Sequence, residues 1–173
     1  MKSNPMCWRA QWIWEDGEAA PRNYYLAARR ECAVSEAEAS GQWRLHITAD
    51  TRYRVYVNGV WVGDGPGRGF AWNWQYDTYD VSGLMRAGQN VIGVIAQHWG
   101  EGTMQYAASG RAGLLAQLER ECDGAWQHVL GTDAAWQVRA HTGFVRPMPR
   151  MSLQMGFVEA YDARAWSDAW LEP

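Results

Sequence analysis

The sequence predicts an all-β protein, a sandwich of the jelly-roll kind. Three observations lead there. Short runs of side chains alternate apolar and polar with period two, and there are about eight to ten of them. The runs are separated by turn chemistry, Asn58-Gly59 and Cys122-Asp123-Gly124 above all. No stretch carries a sustained helical period. A chain of 173 residues is expected to form one domain, 1-173, and to bury a core without disulfide staples.

Taken in order, Gln11-Trp12-Ile13-Trp14 reads as a short opening strand. Tyr24 to Val34 reads as extended, with helix as the rival because Ala-Ala-Arg-Arg-Glu has good helix propensity. Ser35 to Gln42 is a loop or one helical turn. Trp43, Leu45 and Ile47 alternate with Arg44, His46 and Thr48, the pattern of a half-buried strand. Tyr53 to Val57 and Val60 to Val62 flank Asn58-Gly59, a pair that tolerates the positive φ values of a type I′ turn. The glycine- and proline-rich stretch Gly63 to Phe70 is a loop, and Trp72 and Trp74 fall on one side of an extended chain after it. Tyr76 to Val81 is a strand. Gly83 to Asn90 is turn-like, with a helical turn at Leu84 to Arg86. Val91 to Ala96 is a continuous apolar run, expected as an interior strand covered on both faces. Leu114 to Glu119, Trp126 to Leu130 and Phe157 to Tyr161 complete the strands. Arg146 to Arg150 is a rigid loop, and the tail from Trp166 to Pro173 has no capping feature.

Composition narrows the function classes. The net charge is −3 with no basic stripe, so neither nucleic acid nor an anionic membrane is an expected partner. Cys7, Cys32 and Cys122 are odd in number and lack Cys-x-x-Cys spacing, which predicts reduced thiols and a cytoplasmic protein. No apolar signal region or membrane-length run is present. Twelve tryptophans exceed what one sandwich core holds, so some are expected at a surface used for binding or docking.

The chemistry motifs point away from catalysis. There is no Gly-x-Ser-x-Gly, and Gly63 to Gly69 lacks the spacing and the Lys-Ser/Thr of a nucleotide loop. His46, His98, His128 and His141 form no zinc spacing. A glycosidase needs two carboxylates facing one sugar, and the sequence does not pair any two, so no catalytic residue is assigned. Among the carboxylates, Asp77 and Asp80 are the first choice of oxygen ligands for a Ca²⁺ ion. A sugar site suits the chain better, because sugars offer apolar C–H faces to flat aromatics and hydroxyl edges to polar groups. Arg68, Trp72, Asn73 and Trp74 form the first candidate set, and His98, Glu101 and Tyr106 the second. The same aromatics would equally serve to cover a neighbouring domain.

Ordered blocks along the chain carry a resemblance. Ile47-Thr48-Ala49-Asp50-Thr51-Arg52-Tyr53 leads into Tyr56-Val57-Asn58-Gly59, Val62-Gly63, Gly65-Pro66 and Arg68-Gly69. Tyr76-Asp77-Thr78-Tyr79-Asp80-Val81, Gly88-Gln89-Asn90-Val91-Ile92 and Gly110-Arg111-Ala112-Gly113-Leu114-Leu115 follow, and Glu159-Ala160-Tyr161-Asp162-Ala163-Arg164 ends the series. Together, from Trp12 to about Trp170, they resemble the N-terminal β-sandwich domain of bacterial α-L-rhamnosidases. The resemblance implies a galactose-binding-domain-like jelly roll without catalytic residues. In that family the domain is attached to a helical barrel that hydrolyses terminal α-L-rhamnosyl groups. Some related modules bind L-rhamnose with Ca²⁺. The expectation is therefore an accessory domain of a larger glycoside hydrolase. It would bind rhamnose-containing carbohydrate weakly or brace the catalytic barrel, and the alternative is a docking domain with no ligand.

Overall fold

The computed structural model describes residues 6–166. They form two antiparallel sheets packed face to face, with a loop-rich segment after the last strand. The strands are β1 (Tyr24–Val34), β2 (Trp43–Asp50), β3 (Arg52–Val57), β4 (Val60–Gly65) and β5 (Asp77–Asp80), then β6 (Gly88–His98), β7 (Gly113–Cys122), β8 (Ala125–Gly131) and β9 (Gln137–Ala140). One sheet has the order β4-β3-β6-β1-β9 and the other β5-β2-β7-β8. Leu26, Val55 and Ile92 from the first meet Leu45, Ile47 and Leu118 from the second in one buried cluster. The jelly-roll sandwich predicted from the sequence is the observed fold.

Local chemistry explains the main elements. The run from Tyr24 is a strand and not a helix, because it pairs along its whole length with β6, from Tyr24↔His98 to Val34↔Gly88. A full ladder and a buried face outweigh its helix propensity. Ser35 ends that strand and caps the single turn α1 (Glu36–Ala39) with a reciprocal Ser35–Glu38 capping box. In the β3–β4 hairpin Asn58 has φ 52° and Gly59 φ 81°, as the turn chemistry requires. The β7–β8 turn repeats the device, with Asp123 at φ 53° and Gly124 at 81°.

Several strand expectations need correction. β2 is buried on both faces, not one. The N-terminal segment lies across its outer side, where Arg9 N–H donates to Gln117 Oε1 at 2.7 Å and the Trp8 ring sits 6.3 Å from His46. Its polar side chains are covered but partnered: His46 Nδ1 lies 2.8 Å from Thr78 Oγ1, and Thr48 donates to Gln75 O at 2.7 Å. The opposite error concerns β6, which is central in its sheet but alternates between buried and half-buried residues. Its outer face is open, and that opening makes room for the site described below. The opening strand at Gln11–Trp14 reduces to one bridge, Ile13↔Leu114. Phe157 to Tyr161 is likewise a loop held by the bridges Arg150↔Phe157 and Phe144↔Tyr161. Gly63 to Gly65, read as loop, belongs to β4. The β9 strand alternates over only four residues, Gln137 to Ala140, too few to announce it. Of the tail, Ser167 to Pro173 lies outside the described residues.

The tryptophans divide as their number requires. Trp43, Trp99 and Trp136 are buried, whereas Trp12, Trp61, Trp72 and Trp126 are exposed. Among the described residues, no helix is long and apolar enough to cross a membrane.

Candidate functional site

At one end of the five-stranded sheet, β3 begins and β6 ends side by side. Thr51 N–H donates to Gln97 O at 2.8 Å, and Trp99 N–H to Thr51 Oγ1 at 3.1 Å. These bonds fix the backbone at the floor of a cleft of about 520 Å³. Three loops wall it: the one after β4 (Pro66 to Trp74), the one after β6 (Trp99 to Tyr106) and the late segment from Met151 to Glu159. A side recess of about 110 Å³ shares Arg52, Arg54, Gln97 and Glu159 with it.

Strand alternation aims the polar groups. Tyr53 and Val55 point into the core, so Arg52 and Arg54 point out over the open face. Arg54 Nη2 donates to both carboxylate oxygens of Glu159, at 2.8 and 3.1 Å. The Arg52 guanidinium lies 5.5 Å from the centre of the Trp99 ring. Gln97 Nε2 donates to Asn23 Oδ1 at 2.9 Å and to the Tyr25 hydroxyl at 2.7 Å. The Trp99 indole rests against Gly156, where a methyl group would overlap the ring. Tyr106 meets Trp99 edge-on at 5.4 Å.

A buried carboxylate anchors this wall from below. Asp50 is wholly inaccessible. Its carboxylate accepts from the Tyr106 and Ser109 hydroxyls and from Thr51 Oγ1 at 3.1 Å, and His98 Nδ1 lies 3.3 Å away. Burial pushes its pKa up, but the bonds from His98, Ser109 and Tyr106 prevail and hold it below the usual carboxylate range. Burial and the bond to Asp50 push the Tyr106 phenol well above its ordinary value. Asp50 is thus an ionised tie that fixes Tyr106 and the loop behind it.

The structure brings together three of the residues singled out in the sequence. Arg68, Trp74 and Tyr106 line the cleft. His98 lies beneath it, fully buried among Asp50 and the Trp14 ring. Glu101 is turned aside into ion pairs with Arg150 at 2.8 Å and Arg22 at 3.2 Å. Trp72 and Asn73 are outside the lining. Phe70 and Asn73 close a tight turn by backbone bonds of 2.8 and 3.3 Å, so the chain reverses at Ala71 and Trp72 before it reaches Trp74. Trp72 stacks on Phe70 at 4.8 Å with 81% of its surface exposed, while Trp74 turns back toward Trp12 at 5.4 Å. The expected one-sided Trp pair is therefore not formed.

The Asp77 and Asp80 pair does not suit a shared metal ion. An odd separation along β5 puts them on opposite faces. Asp77 accepts from the Tyr53 hydroxyl at 2.5 Å, and Asp80 from Ser82 Oγ at 2.6 Å and Ser82 N–H at 2.9 Å. Among the described residues, no three His, Cys, Asp or Glu side chains come together as a metal site.

Sequence reasoning missed Arg52, Arg54, Gln97 and Phe157. The outward phase of β3 and β6 could have flagged the first three. Trp99 belongs to the aromatic stretch from His98 to Tyr106 and Glu159 is one of the chain's candidate carboxylates, but their arrival at the cleft, like that of Phe157, comes through loop packing.

Comparison with known proteins agrees with this architecture. The family model described as "Alpha-L-rhamnosidase N-terminal domain" matches residues 38–173. An alpha-L-rhamnosidase of Streptomyces avermitilis is 35% identical over 143 residues, 75% of this chain and 13% of that protein. The crystal structure of a GH78 family rhamnosidase of Bacillus sp. GL1 superposes with a TM-score of 0.85 at 39% identity, covering 96% of this chain and 17% of that one. The Streptomyces avermitilis alpha-L-rhamnosidase in complex with L-rhamnose gives a TM-score of 0.61 at 28% identity, over 88% of this chain and 15% of that one. The chain thus spans a small part of the length of these relatives. With the sandwich and the family model in agreement over most of its length, the chain belongs to the alpha-L-rhamnosidase N-terminal domain family.

Proposed function

We propose that this domain is a non-catalytic accessory module of a larger α-L-rhamnosidase-like glycoside hydrolase, and that it binds rhamnose-containing carbohydrate in the cleft beside Trp99. The observation that carries the reading is the cleft itself. It joins the half-buried Trp74 and the edges of the buried Trp99 and Phe157 rings with fixed polar groups from Gln97 and Arg52. Such a combination matches the two-sided chemistry of a sugar ring. The cleft does not suit hydrolysis by a carboxylate pair. Glu159 is the one carboxylate on the main cleft's wall among the described residues, and Arg54 holds it.

Calorimetric titration with L-rhamnose tests the reading, in the presence of Ca²⁺ and then of chelator. Saturable heat that survives chelation is expected of a ligand held by the ring and side-chain groups of the cleft. Heat that vanishes with chelator would place the ligand on an ion instead.

A second reading, bracing of the catalytic helical barrel of the same parent protein, is favoured by the rim of the cleft. Trp72, Leu153 and Met104 expose 81%, 73% and 69% of their surfaces on neighbouring loops. Large exposed apolar groups in proximity mark docking faces. Absence of sugar heat, together with concentration-dependent light scattering that Leu153→Ser abolishes, would favour this second role.

A further inference from the structure

Resting on the carbohydrate reading of the cleft, we infer that its ligand is an acidic saccharide, with a hexuronic-acid carboxylate seated between Arg52 and Arg68. The charge inventory of the cleft is the argument. Three guanidiniums, Arg52, Arg54 and Arg68, line it against one carboxylate, Glu159. Asp64 borders the side recess and only partly offsets them. This surplus occurs in a chain whose net charge is −3.

The three arginines are not equivalent. Arg54 is committed to Glu159 through two bonds. Arg52 and Arg68 meet aromatic rings, Trp99 at 5.5 Å and Phe70 at 5.9 Å. Neither has a carboxylate partner among the described residues. A guanidinium stacked on a ring keeps its in-plane N–H groups free, and they fit a carboxylate two at a time. Both come from different chain segments, the start of β3 and the loop after β4, so a carboxylate between them would bridge the two walls. Gln105 and Gln154 on the remaining walls supply neutral partners for hydroxyls. A neutral sugar would leave this positive surplus unanswered. A sugar bearing one carboxylate would answer it.

The test compares two ligands of equal size on the 173-residue chain: a disaccharide of rhamnose and a hexuronic acid, and its carboxyl-reduced neutral counterpart. The acidic form is expected to bind roughly tenfold more tightly in dilute buffer, the effect of about one good charge-assisted contact. The advantage should shrink in high salt because the arginines are exposed. Arg52→Gln and Arg68→Gln, with unchanged circular dichroism, should each lower the ratio of acidic to neutral affinity severalfold, and a ratio left unchanged by both would overturn the inference. Equal affinity for the two ligands would overturn the acidic-saccharide inference and leave the carbohydrate reading standing. Saturable binding of neither would overturn both.

Discussion

Two tryptophans that are neighbours in sequence have different fates, and that difference is testable. Trp74 turns into the cleft while Trp72 stacks on Phe70 at the outside of a turn. Trp74→Ala is expected to weaken sugar binding by about 1 kcal/mol, roughly fivefold. Trp72→Ala should leave it unchanged. Titration of both variants checks the pair. The buried tie at Asp50 makes a second claim at this scale. Its carboxyl is held below the usual range in the fold, against about 3.9 when unfolded. Through that interval the unfolded chain binds the extra proton. The stabilisation is therefore complete above the unfolded value and is lost as pH falls through the folded one. Glu119 is also held low, because the bonds from Arg44 and Gln117 outweigh the effect of burial, and it adds to the same acid limb. Asp50→Asn should flatten that limb in denaturation followed from pH 7 to pH 3. It should also cost about 1–3 kcal/mol at neutral pH, since an amide cannot accept every hydroxyl that now points at Asp50.

At the scale of elements, the hairpin and the cleft wall each depend on one small residue. Asn58 supplies positive φ and also three side-chain bonds, to Leu84 O, to Asn90 Oδ1 and from Val91 N–H, at 2.8, 2.8 and 2.9 Å. Asn58→Ala is expected to cost about 2–3 kcal/mol, read as a lower midpoint in urea. Gly156→Ala would displace Trp99 and so reduce ligand affinity more than stability. Legibility followed the range of the forces involved. The Asn58-Gly59 turn, the alternation of β2 and the break into one helical turn after Val34 are local, and they could be read directly. The exposure of each strand face could not, because it depends on what lies across it. The N-terminal segment covers β2, whereas among the described residues the outward side chains of β6 are only half-covered. The site shows the same division. Arg68, Trp74 and Tyr106 were found through loop composition. The reversal at Trp72, the diversion of Glu101 to Arg150 and the approach of Glu159 to Arg54 are tertiary events without a local signature.

For the whole molecule, the sandwich places three loops around the open end of one sheet, and the function proposed for it follows from that placement. Under the proposed accessory role, an assay of the chain alone on an aryl α-L-rhamnoside is expected to show no turnover, and turnover would contradict that role. On the proposed reading, carbohydrate binds in the cleft between β3, β6 and the late loops. Nuclear magnetic resonance of the isotopically labelled chain, titrated with L-rhamnose, tests it most directly. The backbone signals of Arg52, Gln97 and Gly156 and the indole signals of Trp74 and Trp99 should move together and saturate, with those of Trp61 and Trp126 still. Saturating shifts confined to any other surface, or no shifts at all, would contradict the account.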